Sequence, residues 1–144
     1  MENPLLELQE YENLLEALKK AKGPLQAAGT LESQKVHLMH ELGEDGGFPW
    51  KLVVTYDEQR AKEIYDDFRS FTRQVWLYPA KDLLFYAADI HGNLMTRQRI
   101  SVLRHLMEDE GGVVVTTIDG LMDHLMPLAF LKQHAVTVEC EQVI

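Results

Sequence analysis

The chain has a single cysteine, Cys140, in 144 residues, so no disulfide can form within it. No apolar run approaches the roughly 18 residues needed to span a membrane. The N-terminus, Met1-Glu2-Asn3-Pro4, lacks the basic segment and following apolar stretch of a secretory leader. Together these absences point to a cytoplasmic location. Positive charge is scarce too: 14 Lys and Arg stand against 23 Asp and Glu, for a formal net charge of −9. Non-specific attraction to nucleic acid comes mainly from Lys and Arg neutralising phosphates, so the chain alone is a poor DNA binder. Basic residues gather at Arg69 and Arg73 and again at Arg97, Arg99 and Arg104, but acidic neighbours flank each group and mark it as a solvated face. There is no internal repeat and no low-complexity segment.

What is present fits one soluble domain: 46% hydrophobic and 26% charged residues in a length that can bury one sizeable core. Asn3-Pro4 offers a helix start, and Leu5, Leu8, Leu15 and Leu18 recur near helical spacing until Gly23-Pro24 stops the pattern. Residues 1–23 therefore read as an N-terminal helix packed on a domain of residues 24–144. Strands are expected at Leu25–Ala28, Lys51–Thr55, Val75–Tyr78, Val113–Thr117 and Ala135–Glu139. Helices are expected at 33–42, after the Thr55-Tyr56-Asp57-Glu58 capping box, at 93–108 and at 119–126. The expected apolar faces are Ala61, Ile64, Tyr65 and Phe68 in one helix and Ile100, Leu103, Leu106 and Met107 in another. Leu83, Leu84, Phe85 and Tyr86, in the stretch from Ala80 to Gly92 that shows no period, are expected to tuck back onto the domain. Alternating strands and helices imply an α/β fold with a mostly parallel sheet and helices on both faces.

The segment Gly29-Thr30-Leu31-Glu32-Ser33-Gln34-Lys35-Val36 has the frame of a phosphate-binding loop, G-x-x-x-x-G-K-S/T, in which backbone N–H groups cradle phosphates while Lys and a hydroxyl hold the γ-phosphate and magnesium. Gly29 and Lys35 keep their places. Gln34 stands where a glycine lets the loop close on phosphate, and Val36 where the hydroxyl would hold magnesium. Glu32 lies in the stretch that would wrap the phosphates, and a carboxylate about 5 Å from one phosphate charge costs roughly 3 kcal/mol at an effective dielectric near 20. An Asp-Glu pair closing an apolar strand, the usual second carboxylate motif, is absent. The bland reading is an ordinary turn into a helix. The expected strand-loop-helix setting favours a degenerate nucleotide site, with no cofactor bound.

These residues resemble a known family. The altered loop Thr30–Val36, the segment from Leu52-Val53-Val54-Thr55 to Tyr65, the turn Val75-Trp76-Leu77-Tyr78-Pro79-Ala80-Lys81-Asp82-Leu83 and the run Val113-Val114-Val115-Thr116-Thr117-Ile118-Asp119-Gly120-Leu121 are similar to the N-terminal, UvrB-like region of the bacterial transcription-repair coupling factor family. The resemblance covers nearly the whole chain and implies a helicase-type α/β subdomain without ATPase activity. In such a parent protein a separate downstream motor hydrolyses ATP and translocates on DNA, and a further subdomain recruits UvrA. It also implies that the chain is a fragment, whose partners are the other domains of its own parent chain. RNA polymerase and DNA would be reached through other parts. The short stretch from Tyr78 to Gly92 departs from the long DNA-inserting hairpin of UvrB, so DNA threading is not expected.

Other chemistry is weaker. His37, His40 and Glu41 lack the H-E-x-x-H pattern and a third placed ligand, so no metal is expected there. His91, His105, His124 and His134 have no pairing that spacing establishes. Ser33 and Ser101 lack a glycine-framed nucleophile elbow, and Cys140 reads as a small core residue. Asp119 and Asp123 read as a solvated helix face. Two alternatives to a non-catalytic module stay open: a nucleotide-dependent helicase half that binds phosphate through Lys35 by an unusual geometry, and a small-molecule domain with its pocket at the strand carboxyl ends.

Overall fold

The strands form where β-branched residues concentrate. In the computed structural model, which describes residues 4–80, 90–125 and 127–135, β1 is Trp50–Thr55, β2 is Val75–Tyr78 and β3 is Gly112–Thr117. All are parallel, in the order β1-β3-β2, with Trp50 opposite Gly112, Thr55 opposite Thr117, Val75 opposite Val113 and Tyr78 opposite Thr116. The last of these three in sequence is thus the middle one in space, and every residue of β3 is buried. Such a strand, covered on both faces, reads as a continuous apolar run.

Among the described residues the helices are α1 Gln9–Lys20, α2 Glu32–Asp45, α3 Glu58–Phe68, α4 Ile90–Glu108, α5 Ile118–Met122 and α6 Leu128–His134, with a 3₁₀ turn at Pro4–Glu7. Side chains alternate across β3. Val113 and Val115 join Val36 of α2, Ala61, Ile64 and Phe68 of α3 and Val75 in one core cluster; Val114 joins Tyr78 and Val102 of α4 in a second. So α2 and α3 cover one face and α4 the other. The connection from β1 to β2 passes through α3, and the return from β2 to β3 through α4.

The sheet has three strands among the described residues, fewer than expected. Leu25–Ala28 is irregular and exposed rather than a strand. Leu, Gln and Ala lack the β-branched shape that fits a pleated, half-buried surface, and four such residues between Gly23-Pro24 and Gly29 gain no sheet partner. Ala135 is outside any strand, and residues 136–139 of the other expected strand lie outside the described residues, as do Asn3, Phe85 and the stretch 81–89. The helix α6 lies beyond the last helix expected from the sequence, and Pro127 stands at its start, a place where proline is tolerated.

Two packing expectations shift. Ile100 is 59% exposed, whereas Arg99 and Val102 are buried and Leu103 and Leu106 pack on the second cluster. The buried stripe of α4 therefore runs through Arg99 rather than Ile100. Near the N-terminus, helix α1 begins only at Gln9, and its buried residue is Tyr11, whose hydroxyl donates to Asp45 Oδ2 of α2 at 2.6 Å.

On the α4 side, helix cover stops short of β1. Leu52 and Val54 remain 58% and 43% exposed, beside a groove of about 300 Å³ lined by Leu52, Tyr78, Val102, Leu106, Leu121 and Leu125. None of the helices among the described residues is long and apolar enough to cross a membrane.

Phe68 is fully buried against the middle strand and Ile100 faces out, so Phe68→Ala should cost about 3–5 kcal/mol and Ile100→Ala no more than about 0.5 kcal/mol in urea unfolding. Equal losses would show that the α4 stripe runs through Ile100.

Candidate functional site

In a parallel sheet all carboxyl ends share one edge, and open α/β sheets bind ligands in the crevice outside it. The helix dipoles of α2 and α3 begin at this edge, because Arg60 in the first turn of α3 pairs with Glu32, the first residue of α2. The degenerate loop is therefore at the end of the sheet where a phosphate loop belongs. Its setting is not that of one. No strand leads into it, Gly29 (φ +88°) has nothing within 4 Å of where a Cβ would stand, and α2 starts at Glu32 with no side-chain cap.

Within the loop the six candidate residues separate. Gly29 lies in the irregular approach, and Glu32, Ser33, Gln34, Lys35 and Val36 are already helical. Gln34 is exposed, its amide N–H bonded to Leu31 O at 2.9 Å. Val36 is only 2% exposed and belongs to the core cluster of α3 and β3, so the position where magnesium would need a hydroxyl is an apolar anchor. Lys35 Nζ donates to Glu32 Oε1, and Arg60 Nη2 donates to Glu32 Oε2. One carboxylate thus occupies both cations that could meet a phosphate. The Lys35 hydrogen bond, ahead of the Lys35 and Arg60 charges, holds the Glu32 carboxyl below the usual carboxylate range; what burial it has opposes this.

At the end of β3 the polar groups form a hydrogen-bonded network. Asp57 caps α3, with Oδ1 accepting from Arg60 N at 2.7 Å. The cap is thus two residues later than Thr55, where the capping-box pattern placed it. That shift frees Glu58, whose Oε1 accepts from Ala80 N at 3.0 Å and from Thr117 Oγ1 at 3.1 Å. Thr117 Oγ1 in turn accepts from Gly120 N at 3.1 Å and caps α5, while Thr116 Oγ1 donates to Tyr78 O at 2.8 Å. A Cβ on Gly120 would stand 2.5 Å from Thr116 Oγ1, which explains the glycine in the Thr116-Thr117-Ile118-Asp119-Gly120 run.

Beside this network Arg99, 7% exposed, donates from Nη1 to Pro79 O and to Asp123 Oδ2, both at 2.7 Å, and lies 4.3 Å from the centre of the Tyr78 ring. Arg99 is therefore no part of a solvated basic face, and Asp123, past the end of α5, is no part of a solvated helix face. Burial pushes the Tyr78 phenol up, against the pull of the Arg99 charge and with a smaller push from Asp123. Its hydroxyl is buried without a hydrogen-bond partner.

The remaining candidates lie elsewhere. His37 and His40 both contact the Phe71 ring, with centroids 5.3 Å away in each case, and His37 Nε2 is 3.5 Å from Glu41 Oε1. At the amino edge of the sheet His105, Glu108 and Glu110 converge, the one group among the described residues whose geometry suits a metal. The only sequence sign of it is a His and a Glu three apart near a helix end; the turn that brings Glu110 back is a tertiary feature.

Because the folded Glu32 carboxyl titrates below its unfolded range, its contribution to stability is in place above that range and is lost as pH falls through the lowered value. The stability difference between the chain and Glu32→Gln should be present at neutral pH, shrink with added salt and vanish on the acid side. A difference that grows towards acid pH would contradict the pairing. Comparison with protein-family models, curated proteins and solved structures gives no match to this chain.

Proposed function

We propose that the chain is a non-catalytic interaction and regulatory domain with a relic nucleotide loop: the UvrB-like part of a transcription-repair coupling factor. Such a parent is an ATP-dependent DNA translocase that displaces stalled RNA polymerase and recruits UvrA through a different subdomain. The finer reading of the α/β fold as a P-loop, helicase-like subdomain belongs to this proposal. It rests on the resemblance of the loop, of the Leu77-Tyr78-Pro79 turn and of the Val113–Leu121 run.

The observation that carries the non-catalytic reading is the fate of the loop's two chemical positions. Lys35 and Arg60 are both engaged by Glu32, and Val36 is a core residue. A phosphate would have to displace a tethered carboxylate and would meet its charge, with no hydroxyl left for magnesium. The pairing of the polar groups at the end of β3 with one another weighs in the same direction against a small-molecule site. What the domain does offer is surface: the exposed Leu52, Leu121 and Leu125 line one apolar groove suited to contact with neighbouring domains of the parent chain.

Titration of the folded chain with a fluorescent ATP analogue and magnesium should show no saturable binding in the micromolar range. In the full-length protein Lys35→Ala should leave ATP turnover unchanged. Saturable binding that Lys35→Ala abolishes would instead establish the alternative, a nucleotide-binding helicase half working through Lys35.

A further inference from the structure

The amino edge of the sheet carries a second cluster, unrelated to the loop. His105 lies in the last turn of α4 and Glu108 is its final residue. The chain then turns through Asp109, at φ +53°, and Gly111, at φ +74°, into β3. Across this turn His105 Nδ1 is 3.1 Å from Glu110 Oε2 and 3.9 Å from Glu108 Oε2, and all three donor atoms lie within 4.8 Å of one another.

We propose that His105 Nδ1, Glu108 Oε2 and Glu110 Oε2 are ligands of a divalent transition metal of the zinc class, with water completing the shell. The donor set fits, since one imidazole nitrogen and two carboxylate oxygens suit Zn²⁺ and its first-row neighbours. The spacing fits as well. Metal–ligand bonds of about 2.0–2.2 Å place tetrahedral ligands roughly 3.3 Å apart, between the two distances from His105.

Without a metal, His105 Nδ1 meets Glu110 Oε2 at hydrogen-bond distance and Arg104 offsets part of the charge of the two carboxylates. A divalent cation would take the place of the hydrogen between Nδ1 and Glu110 and draw in Glu108 Oε2, now 3.9 Å away. The partial negative charge at the carboxyl end of the 19-residue helix α4 favours it further.

The surroundings hold the ligands in place. The His105 ring stacks on Trp76, with centroids 4.5 Å apart and planes at 28°. Glu108 has its other oxygen, Oε1, bonded to Arg104 Nε at 2.8 Å, which leaves Oε2 free to turn towards His105. Asp109 Oδ1 accepts from Trp50 Nε1 at 2.9 Å and fixes the turn from which Glu110 projects. Bound metal would tie the α4 end to the start of β3 and stabilise the sheet by mass action.

The two tryptophans of the chain, Trp50 and Trp76, both flank this cluster, so a paramagnetic ion there must quench the intrinsic fluorescence. Titrating the folded chain with Co²⁺ should give saturable quenching at one equivalent, reversed by Zn²⁺. His105→Ala and Glu110→Gln should each weaken it by more than about tenfold, the loss that removal of even an outer partner of a ligand can cause. Glu110→Gln decides the matter if His105→Ala fails to fold, since that half-exposed side chain is replaced without loss of packing. Quenching that never saturates, or that saturates with equal affinity in Glu110→Gln, overturns the proposal.

Discussion

The carboxylate of Glu58 is the point on which the arrangement of the sheet depends. It sits in the first turn of α3 and accepts bonds from the backbone of Ala80, just past β2, and from the hydroxyl of Thr117, at the end of β3. One side chain thereby links the exits of β1, β2 and β3. Buried polar groups left unpaired cost about 1–3 kcal/mol each, and both the Ala80 N–H and the Thr117 hydroxyl would lose a partner without it. Since Thr117 also caps α5, the same carboxylate helps position the helix that carries Leu121.

That closure has a consequence for function. In an open parallel sheet the crevice beyond the strands is where ligands gain access to strand-end polar groups and helix N-termini. Here the strand-end hydroxyls of Thr116 and Thr117, the carboxylate of Glu58 and the guanidinium of Arg99 all bond within the domain, and at the neighbouring helix start Glu32 engages Lys35 and Arg60. Each of these bonds ties the strand ends and helix starts to one another. The exposed apolar side chains of Leu52 and Val54 lie on the open side of β1, where the proposed contact with neighbouring domains would form. The metal proposed at the opposite edge would act in the same structural sense, on the turn from α4 into β3.

The three strands, the apolar face of α3 and the helical character of α2 and α4 were legible in the sequence because period and β-branched content report burial directly. The fate of the loop was legible in part: Val36 announced the missing hydroxyl, yet only the fold reveals why valine is there, as a member of the core with Phe68 and Val115. Leu25–Ala28 misled because a strand is defined by its neighbour, and those residues have none. Arg99 misled for the converse reason. A charged residue among basic neighbours reads as solvated, and its burial becomes intelligible only once Pro79, Asp123 and the Tyr78 ring surround it. Glu58 was read as part of a capping box, since local spacing cannot show that its carboxylate spans from α3 to residues 80 and 117. The His105 cluster was invisible for a like reason, as Glu110 reaches it only through the left-handed turn at Asp109.

The most direct test is native-state hydrogen exchange of the Ala80 amide, which lies past the β2 ladder and, among the described residues, is held through Glu58 Oε1. The closed carboxyl edge predicts protection of that amide close to that of the β3 backbone, and its selective loss in Glu58→Ala while the amides of Val113–Val115 stay protected. Rapid exchange at Ala80 in the unaltered chain, or unchanged protection in Glu58→Ala, would contradict it and return the crevice to the list of ligand sites.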